Sequence, residues 1–567
     1  MRIVSPKNLA DRVYETDVMI MGGGIAGCYA AAKAAERGLK VTLVEKANTR
    51  RSGTAAMGMD HYEPVKNDGI TNEGFVKLWE ARQSALNGEG RFTDPVMPYV
   101  YMDKSLWALE ESERLGLTMR WHDGDFYFMP QAWFGGPRLM LRVHWQDCKP
   151  ILARAARSAG AQVLERTMVV DLLTNGDRVV GATAVDTRTG EFIVIKARAT
   201  VLATGIFARC YEPEEPLFYK YQMKYHWCPA SISGDGYAAA YRAGAEIANM
   251  DITGWGFRIR DDLTISYGNF DHGDGIRAKW YTWDGEEIPY PTAERYREIE
   301  QAGKDPIYVS QSHLPDDYHK RMEVAFVDEK LISFKVAEER LFNPRTHRYE
   351  LMENHPLNFI VPTGAVVDRN FKSPSLEGLW AIGDCSSGAH GCGNAAVGGL
   401  VVGDNIHKDV SAAPEPHIDE GQVEAQKQIA LAPLSVTAGT EPIELELSTR
   451  YICRRYVGML KNEGRLREGQ RRLRTLKREF GPKLVARNAH GLMRALECRN
   501  IVDLTDVHIA ACLQRKETRG QFIRLDYTQR DPSRDNMVTY QRMKSEEPIL
   551  EIREVPELSA ASVGEGR

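Results

Sequence analysis

The chain has 567 residues, more than a single hydrophobic core organises, and that length implies about three or four domains. Hydrophobic residues at 43% and charged residues at 27% exclude an intrinsically disordered chain, and a net charge of −5 excludes a general attraction to nucleic acid or anionic membrane. No run approaches the roughly 18 apolar residues of a membrane span, and the mixed opening Met1 to Asn8 lacks a secretory core, so a cytoplasmic location is expected.

In chain order, Asp17 to Met21 predicts a first strand. A glycine-rich turn follows, then an Ala-rich helix from Ala26 to Glu36 and a second strand from Lys40 to Val44. That order is a βαβ unit, which requires parallel strands and a right-handed crossover. Further strands are expected within Gln162 to Leu173, Val179 to Thr187 and Phe192 to Ala203, and Gly234 to Gly244 reads as a helix returning to the core. From Asp251 to Asn354 the sequence turns aromatic, charged and irregular, as expected of an inserted cap. Core-like sequence resumes at Phe359 to Val367 and Gly378 to Gly383, before a small-residue helix through Gly398 to Ile406. Pro414, Pro416, Pro433 and Pro442 mark an expected exposed linker, and Arg450 to Phe480 and Leu484 to Gln514 read as charged amphipathic helices. The expected fold is therefore α/β: a doubly wound, Rossmann-like core with an inserted α+β capping domain and a C-terminal helical domain. Its boundaries are 1–250 and 355–410 for the core, 251–354 for the cap, 411–448 for the linker and 449–567 for the helical domain and tail.

The strongest chemical signal is Gly22-Gly23-Gly24-Ile25-Ala26-Gly27. Gly22, Gly24 and Gly27 fall where a dinucleotide fold needs a tight turn, close approach to a pyrophosphate and close helix–strand packing. The helix start at Ile25 and Ala26 then offers free amides to phosphate. Glu45, ending the second strand, suits the adenosine ribose hydroxyls. Two later features favour FAD over NAD: the strand ending in Ala203-Thr204-Gly205, and the strand ending in Gly383-Asp384, whose carboxylate can bind a ribitol that NAD lacks. The nine cysteines include no Cys-x-x-Cys pair, so neither an iron–sulfur cluster nor any other metal site is expected on this chain.

These stretches resemble the flavoprotein subunits of the succinate dehydrogenase and fumarate reductase superfamily. The likeness rests on Gly22 to Gly27, Val44 to Ala47, Arg51 to Thr54, Ala203 to Gly205, Gly234 to Gly236, Gly378 to Asp384, Ala389 to Gly391, and Arg515 to Gly520 with Arg524 to Tyr527. The resemblance implies that Lys46, Ser52, Gly53, Thr54, Met57, Asp235 and Asn394 join the cofactor-binding set. It also implies non-covalent FAD, because Gly53 stands where flavinylated members carry His. Arg51 to Gly53 leading to Met57-Gly58 is most similar to the alpha subunit of adenylylsulfate reductase.

Departures bear on substrate. Fumarate-type members have an Arg that clamps a carboxylate after His-Gly-Ala-Asn; here the run His390-Gly391-Cys392-Gly393-Asn394 puts Asn394 at that place. Losing that charge disfavours dicarboxylates. The resemblance places Arg258 on anionic substrate oxygens and His390 as an assisting group, with Arg260 the alternative if the register slips. Gln146 stands where adenylylsulfate reductases have an acid, and Glu63 where they have Asn. The implied function is two-electron exchange between a small anionic substrate and a separate iron–sulfur partner. The alternatives are carbon–carbon bond reduction or dehydrogenation of a non-dicarboxylate substrate, and a non-catalytic electron relay. His144 to Gln146 and the aromatic group Trp280 to Trp283 read equally as site lining or core, and the basic run Arg465 to Arg478 reads as a solvated or partner-facing helix.

Overall fold

The computed structural model describes residues 9–59, 61–121, 124–129, 137–211, 229–253, 256–259, 278–289, 291, 293–316, 319–320, 345–354, 363–388, 391–544 and 547–563. Its centre is a seven-stranded sheet: β1 (Arg12–Met21), β2 (Val41–Glu45), β3 (Gln162–Glu165), β4 (Thr167–Asn175), β5 (Arg178–Asp186), β6 (Phe192–Leu202) and β7 (Leu379–Ala381). The spatial order is β3-β2-β1-β6-β5-β4, with β7 also pairing β6. β1, β2, β3, β6 and β7 run parallel, and β4 and β5 form an antiparallel meander against β6. The predicted βαβ unit and doubly wound core are both present.

Val18, Met19 and Ile20 on β1 and all of β2 are buried, as expected where helices cover both faces of parallel strands. Helix α1 (Ile25–Glu36) buries a row of alanines, and α4 (Cys392–Ala412) crosses it through glycines. A Cβ on Gly399 would stand 2.5 Å from the Ala26 carbonyl oxygen, and one on Gly403 2.8 Å from that of Ala30. Small residues on both helices therefore let the two backbones touch. Helices α2 (Cys148–Ser158) and α3 (Asp235–Arg242) complete the surroundings of the sheet.

Within the expected cap, five antiparallel strands form a sheet in the order 256–259, 348–354, 307–310, 279–282 and 287–288. Its small core includes Trp280, Tyr296, Ile307, Val309, Tyr349 and Leu351. Trp280 is thus cap core, while Trp283 is exposed and donates its indole N–H to the Gly303 carbonyl.

The proline-bearing stretch expected to be an exposed linker instead folds into two helices, α5 (Glu420–Ser435) and α6 (Pro442–Ile452). Asp419 caps α5, Pro433 sits in its last turns, and Pro442 occupies the first turn of α6 behind a Glu441–Glu444 capping box. At the first turn of α6 the missing amide of Pro442 costs little, whereas Pro433 is accommodated inside α5, so neither proline marks an unstructured segment. The charged helices are α7 (Glu463–Glu479) and α8 (Ala489–Gln514), separated from α6 by a π-helical turn at Cys453–Val457. Helix α7 turns Leu466 and Leu473 inward; Arg467, Arg471 and Arg472 pair within the helix with Glu463 and Glu468, and Arg474 reaches Asp506 on α8. The tail returns to the body as strands 537–544 and 547–554, joined to Ile247–Ala248 and Gly364–Ala365. No helix among the described residues is long and apolar enough to cross a membrane.

Candidate functional site

The carboxyl ends of β1, β6 and β7 lie side by side, with Met21 opposite Leu202 and Leu202 opposite Ala381. Open α/β sheets bind ligands at that edge. Three chain segments meet there. Gly22 takes a left-handed φ of 104°, and a Cβ on it would come 2.5 Å from the Ala203 carbonyl oxygen. A Cβ on Gly27 would stand 1.9 Å from the Gly22 carbonyl oxygen. At Gly24, by contrast, nothing in the protein is nearer than 4.0 Å. Two glycines are therefore demanded by packing, and the third leaves a clear approach. Gly24 caps α1 without a side-chain acceptor, and no acidic residue occupies the first turn, so the amides around Ile25 and Ala26 carry an unmatched positive partial charge.

Glu45 braces this turn: one carboxylate oxygen accepts from the Gly23 amide at 2.7 Å and the other from the Ala47 amide at 2.6 Å. Ser52 donates to the Gly23 carbonyl at 3.1 Å, and the Gly53 backbone lies against Gly24, where a Cβ would meet the Gly24 Cα at 3.1 Å. The short helical turn Thr54–Met57 follows. Lys149 was not singled out from sequence. It is fully buried on α2, with its ammonium 2.5 Å from the Gly23 carbonyl and 3.4 Å from the Cys28 sulfur. Only its placement under the glycine turn distinguishes it from any other helix lysine.

At the far end, Thr204 accepts from the Gly236 amide at 3.2 Å and contacts the Cys385 sulfur at 3.3 Å. Gly205 takes a φ of 72° and Gly383 one of 59°. Burial pushes the Asp384 carboxyl up to about 7 against the opposing effect of the Gly391 amide, and its Oδ1 has no hydrogen-bond partner. Asn394 is buried in the first turn of α4. An orphaned carboxyl oxygen at the strand ends is a group that a ligand hydroxyl would satisfy, and the site fits FAD in this respect.

Lys46 and Asp235 face each other. The Lys46 ammonium bonds Ser233 at 2.8 Å, Asp235 at 2.7 Å and Glu497 on α8 at 2.7 Å. Glu497 also pairs with Arg209 and Arg494, and those two arginines share Glu446 on α6. This buried ion network, invisible in the sequence, ties the end of β2 to the C-terminal helices. The closing stretch is a second knot: Arg515 pairs with Asp251 and Glu517, Arg519 with Glu517 and Asp535, and Arg524 with Asp526.

His390 and Arg260 lie outside the described residues, and Arg258 is described only as backbone in strand 256–259, opposite Met352. Trp145 is core, donating to the Thr118 carbonyl at 3.0 Å, while His144 stacks on Trp121 and Gln146 is exposed. Among the described residues, Cys210, Cys453 and His508 bring three potential metal ligands within 4.8 Å of one another. Their bonding does not favour a metal. Burial lowers His508 to about 3, so the ring is neutral; Nδ1 donates to the Met250 carbonyl and Nε2 accepts from the Tyr211 hydroxyl, each at 2.6 Å. The two sulfurs are 3.2 Å apart, closer than the about 3.8 Å between thiolates sharing a tetrahedral zinc.

A model of the FAD binding domain matches residues 17–258, and one of the fumarate reductase flavoprotein C-terminal domain matches residues 448–560. The chain therefore carries an FAD binding domain followed by the C-terminal domain of the fumarate reductase flavoproteins. Relatives of this flavoprotein include an uncharacterized FAD-dependent oxidoreductase of Methanocaldococcus jannaschii, 24% identical over 90% of this chain and 94% of that one. Another is the L-aspartate oxidase of Yersinia pestis, 26% identical over 90% of this chain and 96% of that one. Among solved structures, adenylylsulfate reductase from the hyperthermophilic Archaeoglobus fulgidus superposes with a TM-score of 0.83 at 24% identity, covering 97% of this chain and 96% of that chain. The flavoprotein is therefore an FAD-dependent oxidoreductase with the fold expected from its sequence.

Proposed function

We propose that this flavoprotein is the FAD-carrying subunit of a cytoplasmic two-component enzyme. It holds FAD non-covalently and exchanges two electrons between a small anionic substrate and a separate iron–sulfur partner, as an adenylylsulfate reductase alpha subunit would. The observation that carries this reading is the meeting, at one sheet edge, of the glycine turn, the Ser52–Gly53 loop and the unpartnered oxygen of Asp384. Glycine at position 53 offers no side chain for a covalent flavin bond. The eight described cysteines are buried and form no disulfide, and with no Cys-x-x-Cys pair in the sequence the reading assigns the iron–sulfur centre to a separate protein.

Gly22 and Gly27 pack the turn tightly, Gly24 leaves the pyrophosphate a clear approach to the free amides at the start of α1, Glu45 receives the ribose, and Asp384 receives the ribitol. Thr54, Met57, Ala203, Thr204, Gly205 and Asn394 complete the walls, with Lys46 and Asp235 stiffening the end of β2. Bound FAD supplies the two-electron chemistry. Arg258 binds anionic oxygens of the substrate, and His390 assists proton movement. Copurification with an iron–sulfur protein, together with bleaching of the flavin's visible band by sulfite and turnover of adenylylsulfate, tests the reading. A monomer fully active with soluble NADPH would sink it.

Two expected results follow from the roles of these residues. Arg258→Ala and His390→Ala should each lower turnover by about 10²-fold or more while leaving the flavin spectrum intact. An electron relay without chemistry of its own would lose almost nothing. Asp384→Asn should weaken FAD binding by about ten- to a hundredfold, the scale of a hydrogen bond to a charged group. Because the apoprotein carboxyl sits near 7, wild-type affinity should rise as pH rises through 7 and the carboxylate forms. That slope should vanish in the Asn variant, as read by fluorescence titration.

A further inference from the structure

Six glutamates are buried among the described residues, and five of them have donors. Glu45 takes two backbone amides, Glu246 takes Arg553, Glu446 takes Arg209 and Arg494, Glu497 takes Lys46, Arg209 and Arg494, and Glu517 takes Arg515 and Arg519. The sixth is Glu63. It is 8% exposed, makes no hydrogen bond or ion pair among the described residues, and has one oxygen, Oε2, sealed from solvent without any partner. Folded proteins rarely bury a carboxyl in this way unless the group has work to do there.

Its place is fixed by backbone. Strand 61–62 pairs with 140–142, and the chain then passes directly over the first turn of α4. A Cβ on Gly393 would stand 2.2 Å from the Glu63 carbonyl oxygen. The Glu63 side chain runs beside Gly391, where a Cβ would lie 3.6 Å from its Cγ and 3.7 Å from its Oε1. Gly391 is the residue whose amide bonds Asp384. Among the described residues, titratable and charged groups on these segments include Asp384 on that loop, Cys392 at the start of α4, and His61 opposite Arg142 across the strands. Cys392 donates to the His61 carbonyl, not to Glu63.

We propose that Glu63 is the proton carrier of this site, a catalytic residue exchanging one proton with substrate in step with two-electron transfer. The inference rests on the FAD reading above but not on its adenylylsulfate-like substrate: where it holds, it selects the carbon–carbon alternative instead. In the reductive direction a substrate double bond gains a hydride equivalent from the reduced cofactor and a proton from the Glu63 carboxyl. The carboxyl O–H bond breaks, its electron pair stays on the carboxylate, and the electron pair of the double bond forms the new X–H bond. The oxidative direction is the reverse. Such a group serves carbon–carbon or carbon–nitrogen bonds; cleavage of a sulfuryl ester releases two anions and needs no such proton. Glu63 therefore favours the carbon–carbon reading over sulfur chemistry.

The test uses the FAD-loaded protein, Glu63→Gln as the isosteric variant and Glu63→Asp as the conservative one. Reduction by dithionite is followed by infrared difference spectroscopy, and the flavin midpoint potential is measured against pH. The wild type should show a carboxyl band that moves in deuterated water. Glu63→Gln should keep the visible flavin spectrum, lose that band and change the slope of potential against pH, and Glu63→Asp should restore part of both. With reduced protein and unsaturated monocarboxylates as oxidants, the Gln variant should reoxidise about 10²-fold or more slowly. An unchanged band and slope in both variants would overturn the proposal, as would equally fast reoxidation of wild type and Glu63→Gln by adenylylsulfate. A wild type that takes up no FAD would overturn the cofactor reading instead, a distinguishable failure.

Discussion

Gly27→Ala should yield a colourless protein, with FAD binding weakened by about a thousandfold or more. The new methyl would stand 1.9 Å from the Gly22 carbonyl oxygen, well inside contact distance and against backbone that has no rotamer to change. Helix α1 must then retreat from the turn. Overpacking of that kind costs about 1–3 kcal/mol. The retreat also misaligns the amides that meet the pyrophosphate, each charge-assisted bond contributing about 1.5–3 kcal/mol. Together these make about 4 kcal/mol, or three decades in affinity. Gly24→Ala is the informative control. It has no protein neighbour closer than 4.0 Å and an ordinary φ of −67°, so the apoprotein should melt as the wild type does while FAD affinity falls. Thermal melting of the apoproteins and isothermal titration with FAD read the two effects apart. If Gly27→Ala bound FAD as tightly as wild type, the cradle would be misassigned.

Glu497→Gln should destabilise the apoprotein by about 3–5 kcal/mol, the usual consequence of removing one partner from a buried ion cluster. Lys46, Arg209 and Arg494 would each lose a countercharge within a region shut off from water. The same cluster sets a pH dependence. Burial opposes ionisation of Glu497, but Lys46, Arg209 and Arg494 overcome it and hold the carboxyl down at about 2. A carboxyl depressed on folding contributes stability that is complete above its unfolded value of about 4.3 and is lost as pH falls toward 2. Wild-type protein should therefore weaken steeply across that window in urea titrations, and Glu497→Gln should show a shallower slope from a lower starting point. Equal slopes would show that the cluster does not govern acid sensitivity.

The cofactor half of the site was legible in the sequence because its determinants are local. A glycine turn between a buried strand and an alanine-rich helix has one physical use, and Glu45 ends the next strand of the same unit. Asp384 was legible for the same reason, as the last residue of a strand–turn motif. The ion network was not, because Lys46 and Glu497 are separated by 451 positions and each looks like an ordinary surface charge until the chain closes. Lys149 and Glu63 share that difficulty: what distinguishes them is the carbonyl acceptor that meets Lys149 and the lack of a donor to Glu63, which only packing decides. The prolines between 411 and 448 misled for a different reason. A proline disfavours a helix interior but suits its first turn, and composition tells neither that Pro442 takes the first turn nor that α5 tolerates Pro433 within it. Arg258 and His390 rest on family likeness alone, and turnover measurements on their variants are the direct route to them.

The bond from Lys46 to Glu497 has a consequence for biogenesis. The residue next to Glu45, the proposed ribose acceptor, is held by a helix that leaves the ribosome only after nearly nine-tenths of the chain has been made. A nascent or prematurely terminated polypeptide would contain every segment proposed to contact the nucleotide and still lack the partner that holds Lys46. A chain truncated before Glu497 is therefore expected to take up FAD less readily than the full-length chain, because Lys46 would lose that partner.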